Sequence, residues 1–311
     1  MRDTMHTSVL IIGSGPAGYT AGIYTTRAGI QTTLITGNTI GGQLTRTNEV
    51  ENFPGFELIT GVELMEKMHS QATKVGVNII QDEIVTLDLS KKPFKFESRG
   101  DLKGTADTII IATGASPKWL KSLGEDKFKG KGISICATCD GFFYKNKIVA
   151  VIGGGNSALY EAQFLANVAE KVFLINKNKS FKGETKIQEK VIHNPKIEIL
   201  YNTEVIEFIG ENKLSAIKLR NLKSNEIFQL SINGVFEAIG TAPNTAFLNN
   251  QLQTTAHGYI KTSKRTMETS IEGVFACGDV QEEKYKQAII SAGSGAIAAL
   301  SVEKYLLNKE G

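Results

Sequence analysis

The chain has 311 residues, 41% hydrophobic and 22% charged, with a formal net charge of +3 and three cysteines. That length exceeds one ordinary core and points to two domains. No run of about 18 apolar residues and no apolar signal stretch in residues 1–8 occurs, so neither a membrane span nor export is expected and a cytoplasmic address follows.

Lysines are dispersed without an arginine-rich stripe, which excludes a nucleic-acid footprint. Residues 8–12 form an apolar strand entering Gly13-Ser14-Gly15-Pro16-Ala17-Gly18. A helix is predicted over 16–29, with Ala17, Ala21 and Ala28 small enough for close packing on a sheet, and a strand returns over 31–36. That is a βαβ unit. An amphipathic helix is predicted over 61–76 and strands over 78–80, 84–89 and 94–97. A buried-type strand over 107–112 stops at Thr113-Gly114. The cycle then repeats: strand 147–152, loop Gly153-Gly154-Gly155-Asn156-Ser157-Ala158, helix 156–169, strand 171–176. After Gly240-Thr241-Ala242-Pro243-Asn244 come a strand over 273–276, the turn Cys277-Gly278-Asp279 and a helix over 286–307, rich in Ala, Gly and Ser on the face it would bury.

Both glycine loops stand between a strand and a helix, the context that dinucleotide binding requires. Gly13 permits the tight turn, Gly15 admits a pyrophosphate to the backbone, and Gly18 lets helix and strand close up; the helix start supplies free N–H groups and a positive dipole. The acidic residue usual about 20 residues on is missing, since the strand ends at Thr36-Gly37-Asn38. In the second loop Ala158 takes the third slot. The following strand leads into Asn176-Lys177-Asn178-Lys179-Ser180-Phe181-Lys182, with three lysines and no acid, which suits a 2'-phosphate better than a free hydroxyl. A solvated lysine-rich turn is the other reading.

Cys136-Ala137-Thr138-Cys139 allows three readings: a zinc site, a buried structural pair or a redox dithiol. Cys277 and the four histidines do not fall at ligand spacing from the pair, so no metal is expected. Asp140 and Gly141 argue for an open turn and for redox exchange, in which a thiolate attacks a partner disulfide. Asp140 supplies an acid or base there, and Cys277 reads as a small buried filler.

Together these segments resemble the bacterial-type, low-molecular-weight thioredoxin reductases of the pyridine nucleotide-disulfide oxidoreductases. The resemblance covers essentially the whole chain, and also rests on Gly41-Gly42-Gln43-Leu44, Glu51-Asn52-Phe53-Pro54-Gly55, Ala112-Thr113-Gly114-Ala115, Ala238-Ile239-Gly240, Gly278-Asp279-Val280 and Gln287-Ala288. Its most specific carrier is Cys136-Ala137-Thr138-Cys139-Asp140-Gly141 inside the second nucleotide segment. It implies an α/β fold of two Rossmann-like nucleotide-binding domains of the three-layer ββα type, the second inserted in the first. Residues 1–116 and 246–311 would hold FAD; residues 117–245 would hold NADPH and carry the dithiol.

For FAD the resemblance implies Gly13, Ser14, Gly15, Pro16, Ala17 and Gly18, with Thr36, Gly37, Gly41, Gly42, Gln43 and Leu44 along the adenosine and ribityl side. Asn52 would lie near the flavin, with Thr113, Gly114, Gly278 and Lys286 in the same site. Asp279 would bond the ribityl chain, and the backbone of Gln287 and Ala288 would face the pyrimidine edge. For NADPH it implies Gly153, Gly155, Asn156, Ser157, Ala158, Asn176, Lys177, Lys182, Ile239 and Gly240. It further implies a homodimer in which Cys139 meets the flavin, Cys136 meets oxidised thioredoxin and Asp140 delivers the proton. The inserted domain would rotate about strands near residues 115–117 and 242–245. The chain departs from the family at its usual His-Arg-Arg segment, where Asn176-Lys177-Asn178 stands. A ferredoxin-dependent reductase, a dithiol oxidase using oxygen and a non-enzymatic FAD-bound redox sensor therefore stay as alternatives.

Overall fold

Alternation along strand β1 (Met5–Ile12) creates the two faces of the first sheet. Val9 and Ile11 pack toward helices, whereas Leu10 and Ile12 join a second core with Phe94 and Phe96. The computed structural model describes residues 5–47 and 49–309. Within it the chain divides into two units, Met1–Ser116 with Ala242–Gly311, and Pro117–Thr241.

In the first unit β1 is followed by α1 (Pro16–Arg27), β2 (Thr32–Ile35), α2 (Gly61–Lys74), β3 (Asn78–Ile80), β4 (Ile84–Asp88), β5 (Phe94–Ser98), β6 (Lys103–Ile111) and β7 (Ala115–Pro117). Helix α2 starts with a capping box between Thr60 and Glu63. The second unit holds α3 (Glu125–Phe128), β8 (Ile133–Ser134), α4 (Ala137–Asp140), β9 (Ile148–Ile152), α5 (Asn156–Val168), β10 (Lys171–Asn176), α6 (Thr185–Ile192) and β11 (Ile197–Tyr201). It continues with β12 (Thr203–Gly210), β13 (Leu214–Asn221), β14 (Ile227–Ser231) and β15 (Gly234–Glu237), after which β16 (Thr241–Pro243) passes from the second unit into the first at Ala242. The chain then completes the first unit with β17 (Val274–Ala276) and α7 (Ala288–Leu307).

The first sheet runs β3-β2-β1-β6-β5-β4. Strand β6 pairs with β1 along one edge and divides its other edge between two partners: Lys103–Ala106 pairs antiparallel with β5, and Ile109–Ile111 pairs parallel with β17. Helices α1 and α7 close the other face, where Gly295 lets α7 approach α1 so closely that a Cβ there would lie 2.2 Å from Ala17 O. The second unit repeats the plan with a parallel sheet β11-β10-β9-β15-β8 and a three-stranded antiparallel layer β12-β13-β14. Val149 and Val151 face α5, while Ala150 and Ile152 face Phe208 and Ile217 of the antiparallel layer. Both units are thus Rossmann-like sandwiches of parallel sheet, helices and antiparallel strands.

Strand 8–12 extends back to Met5, and strand 107–112 back to Lys103, because residues of mixed polarity there find ladder partners: Met5, His6 and Thr7 pair with Gly104, Thr105 and Ala106. The helix expected over 16–29 stops at Arg27, before Gly29 at φ +78°. Strand 171–176 matches β10.

Candidate functional site

Each unit presents a glycine loop at the carboxyl end of its central strand. In the first, Gly13 has φ +113°, and a Cβ on Gly18 would meet Gly13 O at 1.9 Å, so both positions tolerate only glycine. Gly15 is different: a Cβ there would meet nothing within 4 Å. It is also the N-cap of α1, with no side chain capping the helix and Pro16 as the first helical residue. The site is an open approach to uncapped N–H groups, which fits a pyrophosphate.

Ser14 ties this loop to its surroundings by donating to Thr36 O at 2.9 Å and accepting from Gly41 N–H at 3.0 Å. Gly41 and Gly42 both take positive φ, and the short helical turn Gly42–Arg46, which carries Gln43 and Leu44, begins against the loop, where a Cβ on Gly42 would lie 3.5 Å from Gly15 Cα. The strand end that lacks a carboxylate is therefore closed by Thr36, Gly37 and the Gly41 turn. Thr113 donates through Oγ1 to Asn244 O at 2.8 Å and accepts from Asn244 Nδ2 at its carbonyl, also at 2.8 Å; Asn244 N–H bonds Gly114 O. Asn244 is a member of this cluster that spacing alone did not single out.

At the start of α7, Gln287 is the N-cap without a side-chain cap, and Ala288 opens the helix. Asn52 Nδ2 donates to Gln287 Oε1 at 3.1 Å, so two residues expected around one flavin are brought together from far apart in the chain. Gly278 takes φ +71° and donates its N–H to Ser294 Oγ at 2.9 Å. Asp279 is half-buried beside it, accepts from Ser291 Oγ at 3.0 Å, and is raised above its ordinary value by desolvation. Lys286 Nζ donates to Glu283 O at 2.5 Å and lies over the Tyr259 ring.

The second unit repeats the loop. Gly153 has φ +149°, with a Cβ there excluded by Ala238 O at 2.5 Å, while Gly155 is open and caps α5 without a side-chain bond. Ser157 and Ala158 lie in the first turn of α5. Lys182 N–H bonds Gly154 O at 2.7 Å, which folds the lysine-rich segment back against the loop. Asn176 is buried and its amide is spent inside that segment, accepting from Asn178 N–H and donating to Ser180 O. Lys177 and Lys182 are exposed. Asn156 and Glu184 bond reciprocally, side chain to side chain and backbone to side chain. Ile239 and Gly240 follow β15, with Gly240 at φ +99°.

Cys136 and Cys139 form a disulfide with Cα atoms 5.3 Å apart, spanning the one-turn helix α4. Cys136 O accepts from the N–H groups of Cys139 and Asp140 at 3.3 and 3.1 Å. Ser134 Oγ accepts from Cys136 N–H at 3.1 Å and donates to Asp140 Oδ2 at 2.5 Å. Sequence reasoning missed Ser134, because a serine two residues before a cysteine carries no signal of its own. Cys277 is fully buried, and burial pushes its thiol up to about 12, which suits the filler role and no redox role. Among the described residues no cluster of His, Cys, Asp and Glu is arranged to hold a metal ion, and no helix is long and apolar enough to cross a membrane.

A family model described as pyridine nucleotide-disulphide oxidoreductase matches residues 7–295. Thioredoxin reductase of Rickettsia felis is 48% identical over 304 residues, covering 96% of this chain and 98% of that one. Thioredoxin reductase 1 of Saccharomyces cerevisiae is 49% identical, covering 98% and 100%. Among solved structures, thioredoxin reductase from Giardia duodenalis superposes with a TM-score of 0.93 at 37% identity, covering 98% of this chain and all of that one. That of Streptococcus pyogenes gives 0.92 at 33% with the same coverage. With two glycine loops and a paired dithiol in the matched region, a flavin and a pyridine nucleotide are the cofactors this family implies, and the chain belongs to the pyridine nucleotide-disulphide oxidoreductases, among their thioredoxin reductases.

Proposed function

We propose that the chain is a thioredoxin reductase that passes electrons from NADPH, through FAD and the Cys136–Cys139 disulfide, to oxidised thioredoxin. The observation that carries this reading is the disulfide itself, formed beside an acid and inside a unit that also has a nucleotide loop. FAD would be held by residues 1–116 and 246–311 and NADPH by residues 117–245, because each segment has one open glycine loop at an uncapped helix start. When bound, the flavin would accept hydride from the nicotinamide and release two electrons to the disulfide.

The chain's own residues do the rest. Gly15 and Gly155 admit the two pyrophosphates to backbone N–H groups. Asn52, Asp279 and the start of α7 would orient the isoalloxazine and ribityl portions. Asp140 holds the proton needed when the disulfide opens, with Ser134 fixing its carboxylate. Cys136 then attacks the disulfide of thioredoxin, and Cys139 resolves the mixed disulfide by reforming the bond to Cys136. Lys177 and Lys182, with no acid between them, would favour a 2'-phosphate.

A homodimer is part of the proposal, supported by the exposed Ile297 and Leu300 one turn apart on α7. So is a cytoplasmic setting without membrane or nucleic-acid partners, since a working dithiol needs a reducing compartment. The test is turnover of oxidised thioredoxin with NADPH, NADH or reduced ferredoxin as donor. Turnover with NADPH is expected. Ferredoxin dependence, peroxide release without a nicotinamide, or no turnover would instead select the ferredoxin enzyme, the oxidase or the sensor.

A further inference from the structure

Glu161 lies on α5, the helix packed against α4, and its Oε2 is buried without a hydrogen-bond partner among the described residues. Burial pushes its carboxyl group up to about 8, offset only in part by the backbone N–H of Ala137. Ala137 is the first residue of α4, adjacent to Cys136, and is 1% exposed. A buried carboxyl group with one such contact is costly to keep unless it acts.

The ionisable groups on elements packed against α5 do not account for its state. Cys139 and Asp140 lie on α4, Cys136 immediately before it and Tyr144 on the turn after it, and β9 has none. Lys171 on β10 is paired with Glu198 on β11, where Tyr201 is the other ionisable group. Lys186, Glu189 and Lys190 on α6 are exposed. Burial and the Ala137 N–H are the causes of the shift.

We propose that Glu161 is a positioning residue for the dithiol: its carboxyl group holds the Ala137 end of α4, and the charge it carries controls how readily the reduced pair forms a thiolate. The proposal rests on reading Cys136 and Cys139 as the redox pair. Reduction breaks the Sγ–Sγ bond with two electrons, supplied by the reduced pyridine nucleotide by way of the flavin, and leaves one thiolate and one thiol after uptake of one proton. While Glu161 is neutral, it adds nothing to the charge of the nearby Asp140 carboxylate in opposing that thiolate. Once it ionises, repulsion in a poorly solvated site raises the thiol pKa. Thiolate formation is thereby self-limiting above about pH 8, where the Glu161 carboxyl loses its proton.

The experiment uses full-length protein reduced with dithiothreitol, freed of reductant, and alkylated with iodoacetamide across the neutral to alkaline range, with modification at Cys136 and Cys139 read by mass spectrometry. The unaltered protein should give a broad profile that exceeds one titration. Glu161→Gln, which keeps an acceptor for Ala137 but no charge, should give a single titration with a midpoint about one pH unit lower. Superimposable profiles would overturn the proposal, since a merely structural residue leaves the thiol titration unmoved. Should Glu161→Gln fail to fold, the infrared redox difference spectrum of the unaltered protein decides. A protonated-carboxyl band that titrates near pH 8 and shifts on reduction supports the proposal; no such band, or one indifferent to the redox state, overturns it. Because dithiothreitol frees the thiols, failure of NADPH to reduce the pair would be seen separately and would count against the redox reading alone.

Discussion

Ser134 Oγ donates to Asp140 Oδ2 at 2.5 Å while accepting the Cys136 N–H at 3.1 Å, so one hydroxyl fixes both the acid and the first sulfur-bearing residue. Asp140→Asn should preserve that frame and remove only the proton, slowing dithiol formation about 10- to 100-fold. Flavin reduction by NADPH should be almost unchanged. Stopped-flow separation of the two half-reactions checks this, and equal slowing of both would assign Asp140 a structural role.

Cys136→Ser and Cys139→Ser should each abolish thioredoxin reduction, yet leave a yellow protein whose flavin NADPH still bleaches. The segments proposed to hold the flavin and the disulfide belong to different units, so losing a sulfur should leave the flavin site intact. Thioredoxin turnover surviving in either variant would contradict the assignment.

Two exposed cations, Lys177 and Lys182, are proposed to set the nucleotide preference. NADPH should be preferred over NADH by about 10² to 10³ in kcat/KM, from two partly solvated charge-assisted bonds weaker than those of an arginine fork. Added salt should erode the ratio. Replacing Lys177 and Lys182 together with Ala should bring it near unity, mainly through KM. Steady-state kinetics with both nucleotides measure it, and an unmoved ratio would mean that the segment is only a solvated turn.

Much of this architecture was legible before any coordinates because apolar periodicity and glycine spacing act locally. Strand 171–176 and the small-residue face of the last helix, with Ser291, Ala292, Gly295 and Ala298 buried, follow from such patterns. The span from α6 to β15 carries no clear period in its sequence. Its antiparallel layer alternates only loosely, with Lys218 and Arg220 on the polar face of β13 and irregular register between β12 and β13, so its strands are specified by pairing rather than by sequence period. The site was legible where backbone chemistry demands a residue type, as at Gly13 and Gly153. It was illegible where a common polar residue acts through a distant partner: Ser134 on Asp140, Asn244 on Thr113, and Ala137 beside Glu161.

Glu237, at the end of β15, provides a stability test. It is buried, accepts from Leu120 N–H at 3.1 Å, and is pushed up to about 7 by burial and by the neighbouring Glu125. In the unfolded chain it ionises near the ordinary 4.5. Between those values the unfolded state releases a proton that the native state keeps, so its contribution is fully present below about pH 4.5 and is lost as pH rises to about 7. Glu237→Gln should remove that slope and leave the protein about 3 kcal/mol more stable than the parent at pH 8. Urea unfolding of both proteins at pH 5 and pH 8 checks it, and parallel slopes would contradict it.

Electron flow from nicotinamide through flavin into one disulfide is tested most directly by anaerobic titration of the purified protein with NADPH. Flavin absorbance is followed while thiols at Cys136 and Cys139 are trapped and identified. Thiols should accumulate at those two positions before the flavin is fully bleached, because the disulfide drains the flavin, and in Cys139→Ser the flavin should bleach with the first equivalent. Flavin bleaching that leaves the Cys136–Cys139 bond intact would contradict the account.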